Sequence, residues 1–228
     1  MNPLSAFPKE KIGILVSGGL DSCVLTGLLG MESRSIQPIV IHAGLQWESV
    51  EFSSLQAFLA ALKNPRILSP RLISLPARDL YDNHWSLNGR EVPGYDSADE
   101  EVYLPGRNLL LLSKAAVFCA LQKIPILAMG LLKGNPFPDA TPEFLASFER
   151  TVECAMSFPL KILTPFREMT KTEILFRGKE FPLELTFSCI APQGELHCGQ
   201  CNKCAERQKA FAQAGVSDKT RYFQDRLK

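Results

Sequence analysis

The feature that most constrains this chain is a six-residue turn, Ser17-Gly18-Gly19-Leu20-Asp21-Ser22, set between an apolar run and a helical pattern. Ile12-Gly13-Ile14-Leu15-Val16 is apolar and largely β-branched, as a buried strand requires, and Cys23, Val24, Leu25, Leu28 and Leu29 then recur at helical spacing. Strand, tight turn and helix in that order open a β/α unit. The residue types suit polyphosphate. Gly18 and Gly19 permit positive φ and let backbone N–H groups approach anionic oxygens with no Cβ in the way, and the helix starting near Asp21 directs its positive end toward them. Ser17 and Ser22 add hydroxyl donors. Asp21 repels a bare phosphate, so it is cast as a partner of Mg²⁺ or of the adjoining backbone. A Walker A loop is excluded because no Gly-Lys-Ser/Thr ending follows.

Further strands are predicted at Ile36 to His42, near Leu72 to Leu75, at Ile124 to Leu132 and around Ile162-Leu163. Helices are predicted from Val50 to Leu62, from the segment after Asn108 through Gln122, and from about Pro142 to Met156. The helix through Gln122 is nearly apolar on all sides and is expected to be buried. A long irregular segment, Asp79 to Leu104, separates the two halves. The alternation predicts an α/β fold with a doubly wound, mostly parallel sheet. In such sheets ligands sit beyond the carboxyl ends of the strands, which places the loops 17–22, 105–108 and 133–141 at one face.

Four of the seven cysteines fall late: Cys189, Cys198, Cys201 and Cys204. Four thiolates at this spacing are the number a tetrahedral structural Zn²⁺ needs, and the two short gaps curl the backbone round one ion. An iron–sulfur cluster is disfavoured because Ala205-Glu206 stands where the ferredoxin run continues to a further Cys-Pro. His197 adjoins a ligand but is left as a bystander, since four cysteines close the site. Cys23, Cys119 and Cys154 read as core or near-core residues. The chain is thus divided into an α/β domain, residues 1–180, and a cysteine module, residues 181–228, closed by a helix from Ala205 to Ala214 with Gly215 as its stop.

The composition excludes several classes. No run of about 18 uncharged apolar residues exists to span a membrane, and Met1 to Glu10 lacks a basic and then apolar leader, so a cytoplasmic protein is expected. A formal net charge of +1 supplies no field for gathering nucleic acid, and no direct nucleic-acid partner is expected.

The turn resembles the signature of the N-type ATP pyrophosphatases (the PP-loop, or adenine nucleotide alpha hydrolase-like, group), and the resemblance implies ATP cleaved to AMP and pyrophosphate. Thr170-Lys171-Thr172-Glu173 has capping-box spacing, which sets Lys171 in the first turn of a helix where it reaches a phosphate; by itself it reads equally as a solvated surface lysine. Taken with Tyr103-Leu104-Pro105-Gly106-Arg107-Asn108, Pro138-Asp139 and the Cys198-Gly199-Gln200-Cys201 run, the chain resembles the QueC family of 7-cyano-7-deazaguanine synthases over nearly its whole length. That resemblance implies ATP, Mg²⁺ and Zn²⁺ as cofactors, a deazapurine carboxylate and ammonia as substrates, and a homodimer. Asp21, Lys171 and Arg107 would be catalytic, with ATP held by residues 17–22. Arg107, Asn108, Asp139 and Phe137 would meet the substrate, Asp139 accepting from the exocyclic amine and ring N–H of the deazaguanine. The chain departs from the family at His42-Ala43-Gly44-Leu45-Gln46-Trp47, at Phe137 and at Ala140-Thr141, all loops facing the substrate. A paralogue activating another carboxylate, a tRNA-modifying relative and a zinc-bearing interaction module are the competing readings.

Overall fold

The computed structural model describes residues 11–32 and 35–223. The stretch Met1 to Glu10, read above as lacking a leader, lies outside them. Among the described residues five strands form one wholly parallel sheet in the order β3-β2-β1-β4-β5, with β1 Ile12–Leu15, β2 Ile36–His42, β3 Arg71–Ser74, β4 Ile126–Ala128 and β5 Lys161–Leu163.

Alternation along the strands sorts the helices. Ile12, Ile14, Ile36, Ile126 and Ala128 point to the face covered by α1 (Leu20–Met31), α7 (Lys171–Arg177) and α8 (Asn202–Ala214). Val16 and Val40 meet α2 (Glu48–Leu62) beyond the edge of that cluster. Ile39, Ile41, Leu127 and Ile162 point the other way, to α5 (Arg107–Leu121) and α6 (Pro142–Met156). The sheet is therefore covered on both faces, as parallel strands with near-continuous apolar runs demand. Strand order reverses between β1 and β4, and a crevice opens there beyond the carboxyl ends.

Three expectations change in detail. Strand β4 stops at Ala128, and Met129 and Leu131 are apolar because they are buried against α5 and α6, not because they continue a ladder. Helix α5 buries only one stripe, Leu111, Leu112, Ala115, Ala116 and Cys119, while Leu109, Val117 and Leu121 are exposed at 45%, 47% and 75%. Cys154 is exposed on α6, whereas Cys23 and Cys119 are buried with their thiols pushed up by burial.

Pro38 sits inside β2, an interior strand, where a missing N–H is normally forbidden. The Ile39 carbonyl accepts from Val16 of the β1 side, so Pro38 turns its absent N–H toward β3, whose ladder begins only at Arg71 opposite Ile39. Gln37 Nε2 fills part of that gap by donating to the Ser69 carbonyl at 3.0 Å.

The segment expected to be irregular, 79–104, holds two single-turn helices, α3 (Arg78–Tyr81) and α4 (Trp85–Asn88), and a 3₁₀ turn, Asp99–Val102. It wraps the cysteine cluster: Gly94 bridges Cys201, and Asn202 donates its backbone N–H to the Pro93 carbonyl. The C-terminal residues share the body's cores, with Ala210 and Phe211 packed against the β1 side and Arg207 fully buried. Arg207 donates to Thr220, Thr186, Ser188 and the Leu183 carbonyl, a fixed fork of neutral acceptors that ties α8 to the chain on either side.

Candidate active site

The chain leaves β1 through Val16 and Ser17 and enters α1 at Gly19, whose extended φ of −66° makes it the N-cap. Of the two glycines only Gly18 uses its conformational freedom, at φ +112°. A Cβ on Gly18 would stand 2.2 Å from the Glu51 carbonyl oxygen, so the glycine is required by space as well as by angle. The Gly19 N–H donates to Ser17 Oγ at 3.1 Å and Ser22 Oγ donates to the Gly19 carbonyl at 3.1 Å, so in this state the two hydroxyls brace the loop. Leu20 is buried and anchors the helix in the core.

At the first turn of α1, Asp21 Oδ2 accepts from Lys171 Nζ at 3.0 Å, and Lys171 also donates to Glu206 Oε1 at 2.8 Å. The capping box at Thr170 and Glu173 is formed, and it fixes the turn that delivers Lys171 inward. Lys171 is consequently a largely buried residue with a side chain only 16% exposed, not a solvated one. Lys203 joins Glu206 at 2.9 Å and Asp99 at 3.6 Å. Burial would raise Glu206, but the ammoniums of Lys171 and Lys203 hold it down at about 2. Asp21, with one ammonium in contact, is raised instead by burial. Burial works to lower Lys171, and the two carboxylates overcome it and keep the ammonium protonated. Asp21 Oδ1 is buried with no hydrogen-bond partner among the described residues.

Two cavities open over this loop. The first lies between the ends of β1, β2 and β4 and reaches His42, Leu111 and Met129. The second spreads toward Trp85, Tyr103, Phe137, Asp139, Lys171 and Glu206. Ser17, Gly19, Asp21, Glu51, Arg107 and Asn108 line both, so these residues mark the junction. Close approach at the junction is set by Gly130 after β4, where a Cβ would meet the backbone of Asp21 and Ser22 at 3.3 Å.

Arg107 and Asn108 begin α5, after Gly106 at φ +71°. Arg107 Nε is buried without a hydrogen-bond partner among the described residues. Asp139, 7% exposed, accepts from the Asn108 backbone N–H at 2.8 Å and from Asn108 Nδ2 at 3.2 Å. It thereby caps α5 across 31 residues and stands at the cavity wall as a committed carboxylate. Phe137 stacks on Tyr103 with ring centroids 4.9 Å apart, and buried Trp47 stacks on Trp85 at 5.7 Å. Both pairs line the second cavity.

Four further site residues escaped the sequence reading. Glu48 and Glu51 lie in the first turn of α2 and are both buried. Glu48 accepts from the N–H groups of Ala43, Gly44 and Leu45 at 3.0, 2.8 and 3.1 Å, pinning the loop that follows β2. Glu51 faces the cavities. Their signal was present in the pattern, because Glu48, Glu51, Leu55, Phe58 and Leu62 fall on one helical stripe. Lys203 and Glu206 were hidden by proximity to the cysteines.

The four cysteine sulfurs all lie within 4.8 Å of one another, with Cys189 to Cys201 and Cys198 to Cys204 at 3.8 Å. A tetrahedral zinc with Zn–S of about 2.3 Å demands an S···S edge of about 3.8 Å, so the cluster fits the ion. Backbone N–H groups of Gln200 and Cys201 point at Cys198 Sγ at 3.3 Å, and that of Cys198 points at Cys189 Sγ at 3.2 Å, which favours thiolates. His197 is outside the cluster, its Nε2 accepting from the Ser188 N–H at 3.1 Å. Burial lowers its pKa to about 3, so it is a neutral packing residue between Phe187 and Tyr222.

A family model described as queuosine biosynthesis protein QueC matches residues 11–215. The 7-cyano-7-deazaguanine synthase of Leptospira interrogans is 31% identical over 225 residues, covering 92% of this chain and 90% of that protein. The synthase of Methanothrix thermoacetophila is 31% identical across 91% of this chain and 96% of its own, and that of Methanocaldococcus jannaschii 29% identical across 92% and 98%. The match runs through the sheet, the phosphate loop and the cysteine cluster alike, so the chain as a whole belongs to the QueC family of queuosine biosynthesis proteins.

Proposed function

We propose that this chain is an ATP-dependent 7-cyano-7-deazaguanine synthase. The carboxylate of 7-carboxy-7-deazaguanine attacks the α-phosphorus of ATP, pyrophosphate leaves, and ammonia displaces AMP to give the amide. A second ATP activates the amide oxygen, and loss of AMP leaves the nitrile. The observation that supports this most directly is the junction of two cavities over the phosphate loop, one suited to the nucleotide and the other to a flat heterocycle.

In this reading residues 17–22 cradle the departing pyrophosphate with the N-terminus of α1 behind it. Lys171 exchanges its carboxylate partners for phosphate oxygens. Arg107, with an orphaned Nε, takes the charge that develops at the α-phosphate or the substrate carboxylate. Mg²⁺ accompanying ATP would neutralise the polyphosphate, and Asp21 is the residue to hold it, its Oδ1 being free. Asp139 keeps one lone pair on each oxygen beyond those given to Asn108, enough to accept from the donor edge of the deazaguanine. Phe137 and Tyr103 offer it a stacking wall. Cys189, Cys198, Cys201 and Cys204 would hold zinc as a structural ion. A reducing cytoplasm suits those thiolates, and the family resemblance suggests a homodimer. Among the described residues no helix is long and apolar enough to cross a membrane.

The test is incubation of the purified protein with ATP, 7-carboxy-7-deazaguanine and ammonium, following AMP, pyrophosphate and product mass. Two AMP per nitrile are expected. Release of no AMP above a substrate-free control overturns the assignment.

A further inference from the structure

The chemistry proposed above releases protons from nitrogen, and none of the residues assigned so far receives them. Most carboxyls lining the two cavities are committed. Asp21 and Glu206 are paired with Lys171, Asp99 with Lys203, Asp139 with Asn108, and Glu48 with three backbone N–H groups. Glu51 is the exception among the described residues. It is only 8% exposed, lines both cavities, and its side chain engages the Ser17 hydroxyl with no ion pair in contact.

We propose that Glu51 is the proton acceptor of the reaction, placed at the junction where the bond to AMP is broken. In amide formation the nitrogen of ammonia bonds to the acyl carbon, the C–O bond to AMP breaks, and a proton passes from that nitrogen to a Glu51 oxygen. In nitrile formation the amide nitrogen gives its first proton to solvent as its oxygen bonds to the α-phosphorus and pyrophosphate leaves. The remaining N–H electron pair of the neutral adenylated imidate then becomes the third C–N bond. The C–O bond breaks with its pair on AMP, and the proton again passes to Glu51. Solvent entering through the open cavities returns the carboxyl to its ionised form between steps.

The surroundings of Glu51 set its pH range. The charged and titratable groups facing it are Arg107 at the start of α5, Glu48 one turn earlier on α2, Asp21 and Cys23 on α1, and His42 at the end of β2. Burial raises the Glu51 carboxyl to about 8, with Glu48 adding to the rise and Arg107 and the Ser17 hydroxyl opposing it. A proton acceptor must start ionised, so the rate should climb with pH through about 8 and level off above it. Such a base is strong enough to deprotonate an activated nitrogen and weak enough to be regenerated in water.

This inference rests on the proposed synthase activity, and the experiment separates the two. Single turnovers start from the amide and ATP, and pyrophosphate release and nitrile formation are timed separately across pH 6–10. For Glu51→Gln, pyrophosphate release is expected to stay within roughly threefold of the unaltered protein, nitrile formation to fall about 10²–10⁴-fold, and the rise near pH 8 to vanish. Glu51→Asp should recover part of the rate together with a pH rise. A Gln variant that forms nitrile at the original rate, or keeps the pH rise, overturns the proposal. So does an equal loss of both steps in a Gln variant of unchanged melting temperature, which would make Glu51 a support for the phosphate loop. An unaltered protein that releases no pyrophosphate with the amide or the acid refutes the synthase reading, and this inference with it.

Discussion

Adding one methyl group to the phosphate loop separates its two adjacent glycines. In Gly18→Ala the new Cβ would lie 2.2 Å from the Glu51 carbonyl oxygen and 2.9 Å from its carbon, both backbone atoms of α2. Comfortable contacts begin near 3.5 Å, so the loop or the helix must recede by about 1 Å. The residue would also be held at φ +112°, a region that costs a non-glycine roughly 1–3 kcal/mol. Overpacking adds a similar amount, and a total near 3 kcal/mol lowers the melting temperature of a chain of this size by about 6–12 °C. Gly19→Ala is the internal control: φ is −66°, and its Cβ meets only Ser17 Oγ at 3.2 Å and the Phe187 carbonyl at 3.8 Å. Its melting point should move by no more than about 3 °C. The assay is thermal unfolding of both variants alongside calorimetric titration with ATP, with weaker ATP binding expected for Gly18→Ala. Equal melting points for the two variants, or a greater loss in Gly19→Ala, would refute the account of the loop.

Two other outcomes follow from the charged cluster and from the cysteines. Lys171→Met leaves the Asp21 and Glu206 carboxylates without their shared ammonium. Breaking a buried pair costs about 3–5 kcal/mol, reduced here to about 2 by side chains 16–28% exposed. Because Glu206 is held at about 2 by its two lysines, its stabilisation is present above about pH 4.5 and is lost as pH falls toward 2; an acid titration should show that loss in the unaltered protein and a smaller one in the variant. Cys204→Ser, or prolonged exposure to a strong chelator, should remove one zinc per chain as read by elemental analysis and lower the melting point, since a structural site contributes folding energy directly. An unchanged melting point in the metal-free protein would count against a structural ion.

Much of the sheet was legible because β1 and β2 are largely apolar runs bounded by turn residues, and α6 announced itself with Thr141 as cap and Pro142 at its first position. What misled was apolarity with another cause. Met129 and Leu131 are buried under helices rather than in a ladder, and α5 shows Leu109, Val117 and Leu121 to solvent. Within the site the turn 17–22 was readable as a local recipe, but its partners are not local. Lys171 meets Asp21 across 150 residues, and Asp139 caps α5 across 31. No spacing rule carries such pairs. Glu51 was concealed differently, as a charged residue on a stripe that amphipathic reasoning assigns to the core.

Helix α8 carries one of the four clustered cysteines, Cys204, and a residue of the ion cluster, Glu206, within a single turn. Its opening turn is therefore shared property: the same backbone that closes the thiolate cage also presents a carboxylate to Lys171. A molecule that has folded its sheet but not closed this turn would possess the loop 17–22 without a fixed counterpart opposite it. A disturbance of either cluster is thereby passed to the other through three residues of backbone, so neither can be altered alone.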